Sequence, residues 1–102
     1  DRRIHQYFRD GNDAYNLDPS LDYFGGGGLL STAKDLSTFF YLLFNNKVFN
    51  EESTLQEMLK KYKYETPALM DYSLGIWEIE LEGLKLYTHS GFWGTQVVCK
   101  LQ

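Results

Sequence analysis

An α+β fold is predicted by three features of the sequence. Leu36, Phe39, Phe40 and Leu43 recur at helical spacing, and Leu55, Met58, Leu59 and Tyr62 do so again. After Pro67 the period changes to two: Trp77, Ile79 and Leu81 alternate with Glu78, Glu80 and Glu82, and Glu82-Gly83 follows as a hairpin turn. Spacing of i, i+3, i+4 and i+7 makes one face of a helix, whereas strict alternation buries one side of a strand. The expectation is two helices packed on a three-stranded antiparallel sheet.

The elements are justified in chain order. Residues 1–24 carry no clean period and are dense in Asp, Asn, Gly and Pro, which predicts an irregular lead-in with one short helical turn. Leu21, Tyr23 and Phe24 are expected to dock it onto the body. Gly25–Gly28 opens a helical part, 25–62. In its first helix Ser37, Thr38, Tyr41 and Asn45 take the solvent side, and Asn45-Asn46 makes the stop. The second helix is expected over 51–62, with Asn50 as N-cap, Glu51 and Glu52 in the first turn and Lys60 and Lys61 in the last. That order suits the helix dipole at both ends. In the strand part, 73–102, the return strand runs from Leu84 to His89, and a third strand covers "TQVVCKL" after "SGFWG".

A chain of 102 residues suffices for one domain with a modest core. The first residue is not Met and the third strand is still running at Leu101, so a single partial domain of a longer protein is expected. A net charge of −4 argues against nucleic acid as partner, since such proteins present a basic face. The one basic cluster, Lys60, Lys61 and Lys63, is accounted for by a helix end. Arg2 and Arg3 precede no apolar stretch, so they open no signal peptide. A lone Cys99 excludes an internal disulfide, and His5 and His89 stand far apart, so neither a metal nor another cofactor is expected.

Three motifs bear on chemistry. The glycine run fits neither G-x-x-x-x-G-K-[ST] nor G-x-G-x-x-G, because starting at Gly26 the sixth place is Ser31. It reads as a flexible turn into a helix. Ser31-Thr32-Ala33-Lys34 fits S-x-x-K, in which a desolvated Lys takes the proton of a nucleophilic Ser. The same residues also stand before an apolar stripe, and Thr32 with Asp35 three residues on has capping-box spacing. Local chemistry favours the cap. "YTHSGFWGT", 87–95, places His89 at a strand end among small residues, where it either lines a substrate cleft or is an ordinary turn histidine.

Together, "GGGGLLSTAKDLSTFFYLLFNNKVFNEESTLQEML" and "YSLGIWEIELEGLKLYTHSGFWGT" resemble the C-terminal half of serine β-lactamase-related hydrolases. These comprise class C β-lactamases, D-alanyl-D-alanine carboxypeptidases, D-aminopeptidases and esterases. The resemblance covers residues 22–98 and implies a fragment of the β-lactamase/transpeptidase-like fold. It makes Ser31 a capping residue and puts the true Ser-x-x-Lys and Tyr-x-Asn before Asp1. Tyr15-Asn16 and Tyr72-Ser73-Leu74 do not fit Tyr-x-Asn.

His89-Ser90-Gly91 aligns with the family's Lys-Thr-Gly triplet, on the strand that forms one wall of the cleft. By resemblance, His89 and Ser90 are the catalytic-side residues, binding the substrate carboxylate or supporting the proton network. Gly91 and Phe92 are substrate-binding, with the Phe92 N–H as one oxyanion donor, a kind of contact worth ~10²–10³ in rate. Histidine is a switchable charge where lysine is fixed, which leaves peptidase, amidase and esterase open. The implied partner is a small-molecule or peptide substrate with an amide or ester bond, and the family often works in the bacterial envelope. The rival expectation is a non-catalytic module that binds peptide or cell-wall fragments on the same scaffold. A third, Ser31 and Lys34 as a working dyad, lacks a closed oxyanion hole. An uncovered sheet edge would also favour self-association.

Overall fold

The computed structural model describes residues 3–18, 20, 25–62 and 71–101. It divides into two compact units, Asp1–Ser31 and Thr32–Gln102.

In the first unit a bridge pairs Tyr7 with Asp13, and the Phe8 N–H donates to the Asn12 carbonyl at 2.9 Å. Asp13 then caps a single 3-10 turn, Ala14–Asn16, by accepting from the Tyr15 N–H. Its other carboxylate oxygen takes the His5 Nδ1–H at 2.6 Å, and the His5 ring stacks on Tyr15 at 4.1 Å. The short helical turn expected in this lead-in is therefore present. The docking assigned to Leu21, Tyr23 and Phe24 falls outside the described residues, as do Pro19, Lys63 and Pro67.

The second unit opens with helix α1, Ala33–Phe44. Its N-cap is Thr32, not Ser31. The Thr32 hydroxyl accepts the Asp35 N–H at 3.1 Å and donates to the Asp35 carboxylate at 2.8 Å, so two short side chains close the box. The far end is a Schellman motif. Asn46 takes φ +54°, the Lys47 N–H reaches the Leu42 carbonyl and the Asn46 N–H reaches that of Leu43. The inward stripe is Leu36, Phe40, Leu43 and Phe44. Phe39, expected inside, is 48% exposed, and its ring makes an edge contact with Phe40.

Helix α2 is Glu52–Met58, shorter than the expected 51–62. Glu51, not Asn50, holds the N-cap position, without a side-chain bond. Lys60 and Lys61 lie beyond the helix instead of in its last turn. There the Ser73 hydroxyl donates to the Leu59 carbonyl and the Leu74 N–H to the Met58 carbonyl, so the α2 end is tied to the chain entering the sheet.

The sheet has four antiparallel strands in the order β1 (Asp71–Tyr72), β2 (Trp77–Leu81), β3 (Leu84–Ser90) and β4 (Gln96–Lys100). This corrects the expected three. β1 is two residues long, pairing Asp71 with Glu78 and Tyr72 with Trp77, too short to show alternation. The β2–β3 turn is the one expected: Glu82 and Gly83 take φ +51° and +75°, both central positions of a type I′ turn that matches strand twist.

Among the described residues the core comprises Leu43 of α1, Leu55 of α2, Ile76 between β1 and β2, and Tyr87 of β3, with Ile76 only 1% exposed. The Tyr87 ring lies 5.3 Å from that of Phe44, joining α1 to β3. A charge cluster reinforces the sheet. Glu78 of β2 accepts from Lys61 at 2.9 Å and Lys85 at 3.2 Å, and the Tyr87 hydroxyl reaches its other oxygen at 3.2 Å. Burial raises the Glu78 pKa, but the two ammonium groups outweigh it, and the carboxyl sits below its usual range. Hydrogen bonds to Asp71 and Glu78 hold the Lys61 ammonium well above the ordinary lysine range. Lys60 pairs with Glu57 instead.

Candidate functional site

The site residues are placed by the end of β3 and the turn after it. Thr88 is buried, and its hydroxyl donates to the Val97 carbonyl at 2.7 Å, pinning the strand end to β4. The Gly91 N–H donates to the Thr95 carbonyl at 2.7 Å and the Gly94 N–H to that of Gly91 at 3.0 Å, which closes the turn. Gly94 has φ +87°, a conformation that favours glycine. Gly91 differs: a Cβ there would meet Thr95 atoms at 3.9 Å, ordinary contact, so crowding does not dictate glycine.

On this frame His89 is half-buried against two aromatic rings. Its imidazole stacks on the Trp77 indole, centroids 4.6 Å apart and planes 23° from parallel. Its Nε2 lies 3.3 Å from the Tyr72 hydroxyl, and the Tyr72 ring leans on Trp77 at 4.9 Å. With the imidazole proton on Nδ1 the tyrosine donates; with the proton on Nε2 the tyrosine accepts. Trp77 neighbours Tyr72 on one side and Thr88 on the other, so three adjacent strands bring the trio together.

Ser90, the last residue of β3, is exposed and opposite Gln96. Phe92, at the turn, is 85% exposed, with Trp93 edge-on at 5.0 Å. His89, Ser90, Gly91 and Phe92 thus form one continuous strand-and-turn rim, while Ser31 belongs to the other compact unit. Several further hydroxyls of the second unit are committed to carbonyls: Ser37 to Ala33, Ser73 to Leu59 and Thr88 to Val97. Among the described residues no group of three or more His, Cys, Asp or Glu is placed to hold a metal ion.

Sequence reasoning did not single out Tyr72 and Trp77 as partners of His89. In the sequence Trp77 is one of the alternating apolar residues of a strand, and Tyr72 belongs to a tripeptide that does not fit Tyr-x-Asn. The signal for Tyr72 lies in the two-residue β1, whose pairing depends on the bend at Ser73–Ile76, where the Ser73 N–H donates to the Ile76 carbonyl at 2.8 Å. The arrangement sets an oriented imidazole beside a phenol, followed along the chain by an exposed hydroxyl and an aromatic turn.

No family model matches the chain, and no curated protein or solved structure shows significant similarity to it.

Proposed function

We propose that this chain contributes one cleft wall of a β-lactamase-related serine hydrolase, of peptidase, amidase or esterase type, whose nucleophilic serine lies outside these 102 residues. The observation that carries the reading is the Tyr72–Trp77–His89 cluster at the head of Ser90-Gly91-Phe92. The indole fixes the ring plane, the phenol fixes the direction of Nε2, and the exposed Ser90 hydroxyl is free to meet a ligand. In this role His89 and Ser90 bind the substrate carboxylate or support the proton network of the cleft, and Gly91 and Phe92 line the scissile group. The Phe92 N–H is one of two oxyanion donors, the second coming with the nucleophile. A preformed donor is worth more in a water-poor cleft than in solvent.

The test uses the purified chain. It is exposed to a fluorophosphonate and to a penicillin and weighed intact, and equilibrium dialysis measures its uptake of an N-acyl-D-alanine. The reading expects no covalent adduct and saturable uptake. An adduct on Ser31 or Ser90 would make the chain a hydrolase in its own right and overturn it. Absence of uptake by the folded chain would overturn the cleft assignment.

A further inference from the structure

The first unit carries a cluster of titratable groups that the hydrolase reading does not use. At its centre is Asp13, with both carboxylate oxygens engaged. One accepts the Tyr15 N–H at 2.9 Å and caps the turn Ala14–Asn16, and the other faces His5 Nδ1 at 2.6 Å. The His5 imidazole lies flat on the Tyr15 phenol, centroids 4.1 Å apart and planes 9° from parallel. The Arg3 guanidinium also sits over that phenol, 4.1 Å from its centroid, and the Tyr7 ring lies 6.4 Å from His5. Asp10, the preceding acid, turns to Asn12 instead.

These contacts close the chain on itself. The Tyr7–Asp13 bridge and the bond from the Ala14 N–H to the Gln6 carbonyl, 2.8 Å, set residues 5–7 beside residues 13–15. None of the described residues of this unit is buried, so polar contacts and one ring stack carry the closure in place of an apolar core. A neutral imidazole with its proton on Nδ1 gives Asp13 an ordinary hydrogen bond. An imidazolium gives it one assisted by charge, about twice as strong, and is also drawn to the phenol face. The His5 bond first, and the Tyr15 N–H second, hold the Asp13 carboxyl below its usual range. Its contribution is therefore present above the ordinary carboxylate range and lost as pH falls through the folded pKa.

We propose that His5 and Asp13 form a proton-operated clasp, which holds residues 5–15 closed most firmly in mildly acidic solution and slackens at neutral pH and above. The switch is one proton taken up at His5 Nε2, with the Nδ1–H bond to Asp13 kept throughout. It falls where histidine ordinarily changes charge, between about pH 5 and pH 8. Arg3 opposes it, as a second cation on the same phenol, and Asp13 supplies the charge that outweighs Arg3. Every group involved lies within residues 3–15, so the device is local, and it is independent of the hydrolase reading.

The test follows amide hydrogen exchange of the whole chain by NMR at about pH 5.5 and about pH 7.5, corrected for the intrinsic rate. Protection of the Ala14 amide, which the Gln6 carbonyl holds, is expected to be several-fold greater at the lower pH, with no such change at the Leu36 amide of α1. High salt should narrow the difference, because the pair is exposed. His5→Gln keeps a donor that cannot charge, and should leave Ala14 equally protected at both pH values. Equal protection in the unaltered chain, an equal rise at Leu36, or a pH dependence that persists in His5→Gln would overturn the proposal.

Discussion

The Nε2 of His89 lies 3.3 Å from the Tyr72 hydroxyl, although 17 residues separate them in sequence and Tyr72 belongs to a strand of only two residues. Without β1 the imidazole would keep its stacking on Trp77 but lose the hydroxyl that directs Nε2. Tyr72→Phe isolates the hydroxyl while keeping the ring contact. The expected loss is about 0.5–1.5 kcal/mol, the net worth of one hydrogen bond. Long-range ¹H–¹⁵N spectra should show the His89 ring nitrogens shifting, with the backbone pattern of β3 kept. Unmoved ring nitrogens would contradict the assignment.

Thr32→Ala tests which residue begins α1. Losing the Asp35 N–H bond is expected to cost about 0.5–2 kcal/mol in urea unfolding, with a smaller change for Ser31→Ala. A larger loss at Ser31 would contradict the cap.

The helix start and stop were both legible in sequence, because they depend on residues within one turn of each other. Thr32 with Asp35 and the Asn45-Asn46 stop carry their partners locally, and so does the Glu82-Gly83 hairpin. What was not legible is longer in range. At the α2 end the Leu59 and Met58 carbonyls accept from Ser73 and Leu74, contacts across more than a dozen residues that no helix-propensity argument contains. The same bend creates β1 and sets Tyr72 beside His89. The motif residues 89–92 could be named in advance, but the aromatic support for His89 could not.

Glu78 predicts an acid limb of stability. It is 11% exposed at its side chain and paired with Lys61 and Lys85, and its pKa is lowered in the folded state. Below the ordinary carboxylate range the unfolded chain binds the proton more readily, so stability is present at neutral pH and lost as pH falls through the folded pKa. Glu78→Gln should flatten that limb and cost about 1–2 kcal/mol at neutral pH, since the exposed lysines keep the pair below a fully buried one. Urea midpoints between pH 7 and about pH 3 provide the check. An unchanged limb would place the acid sensitivity elsewhere.

At the alkaline end the sign reverses. Burial and the Glu78 charge raise the Tyr87 pKa, and Lys61 is raised as well, so the stability they contribute is present below their ordinary pKa values and falls as pH rises through the folded ones. Absorbance at 295 nm should show Tyr87 ionising after the exposed tyrosines. Tyr87→Phe should remove that late step.

Ile76→Ala should be among the most damaging core changes, about 2–5 kcal/mol, because the side chain is enclosed and its neighbours are held by the β1–β2 bend. Circular dichroism melting gives the loss. A fall of less than about 1 kcal/mol would mean that the bend relaxes to fill the space.

The central claim, that the end of β3 is a carboxylate-binding cleft wall, is tested most directly by a residue-resolved NMR titration. The chain is titrated with an N-acyl-D-alanine and, separately, with the corresponding amide. The account predicts saturable shifts centred on His89, Ser90, Gly91 and Phe92 for the acid, markedly weaker shifts for the amide, and loss of both in His89→Ala. Shifts centred elsewhere, or equal responses to acid and amide, would contradict it.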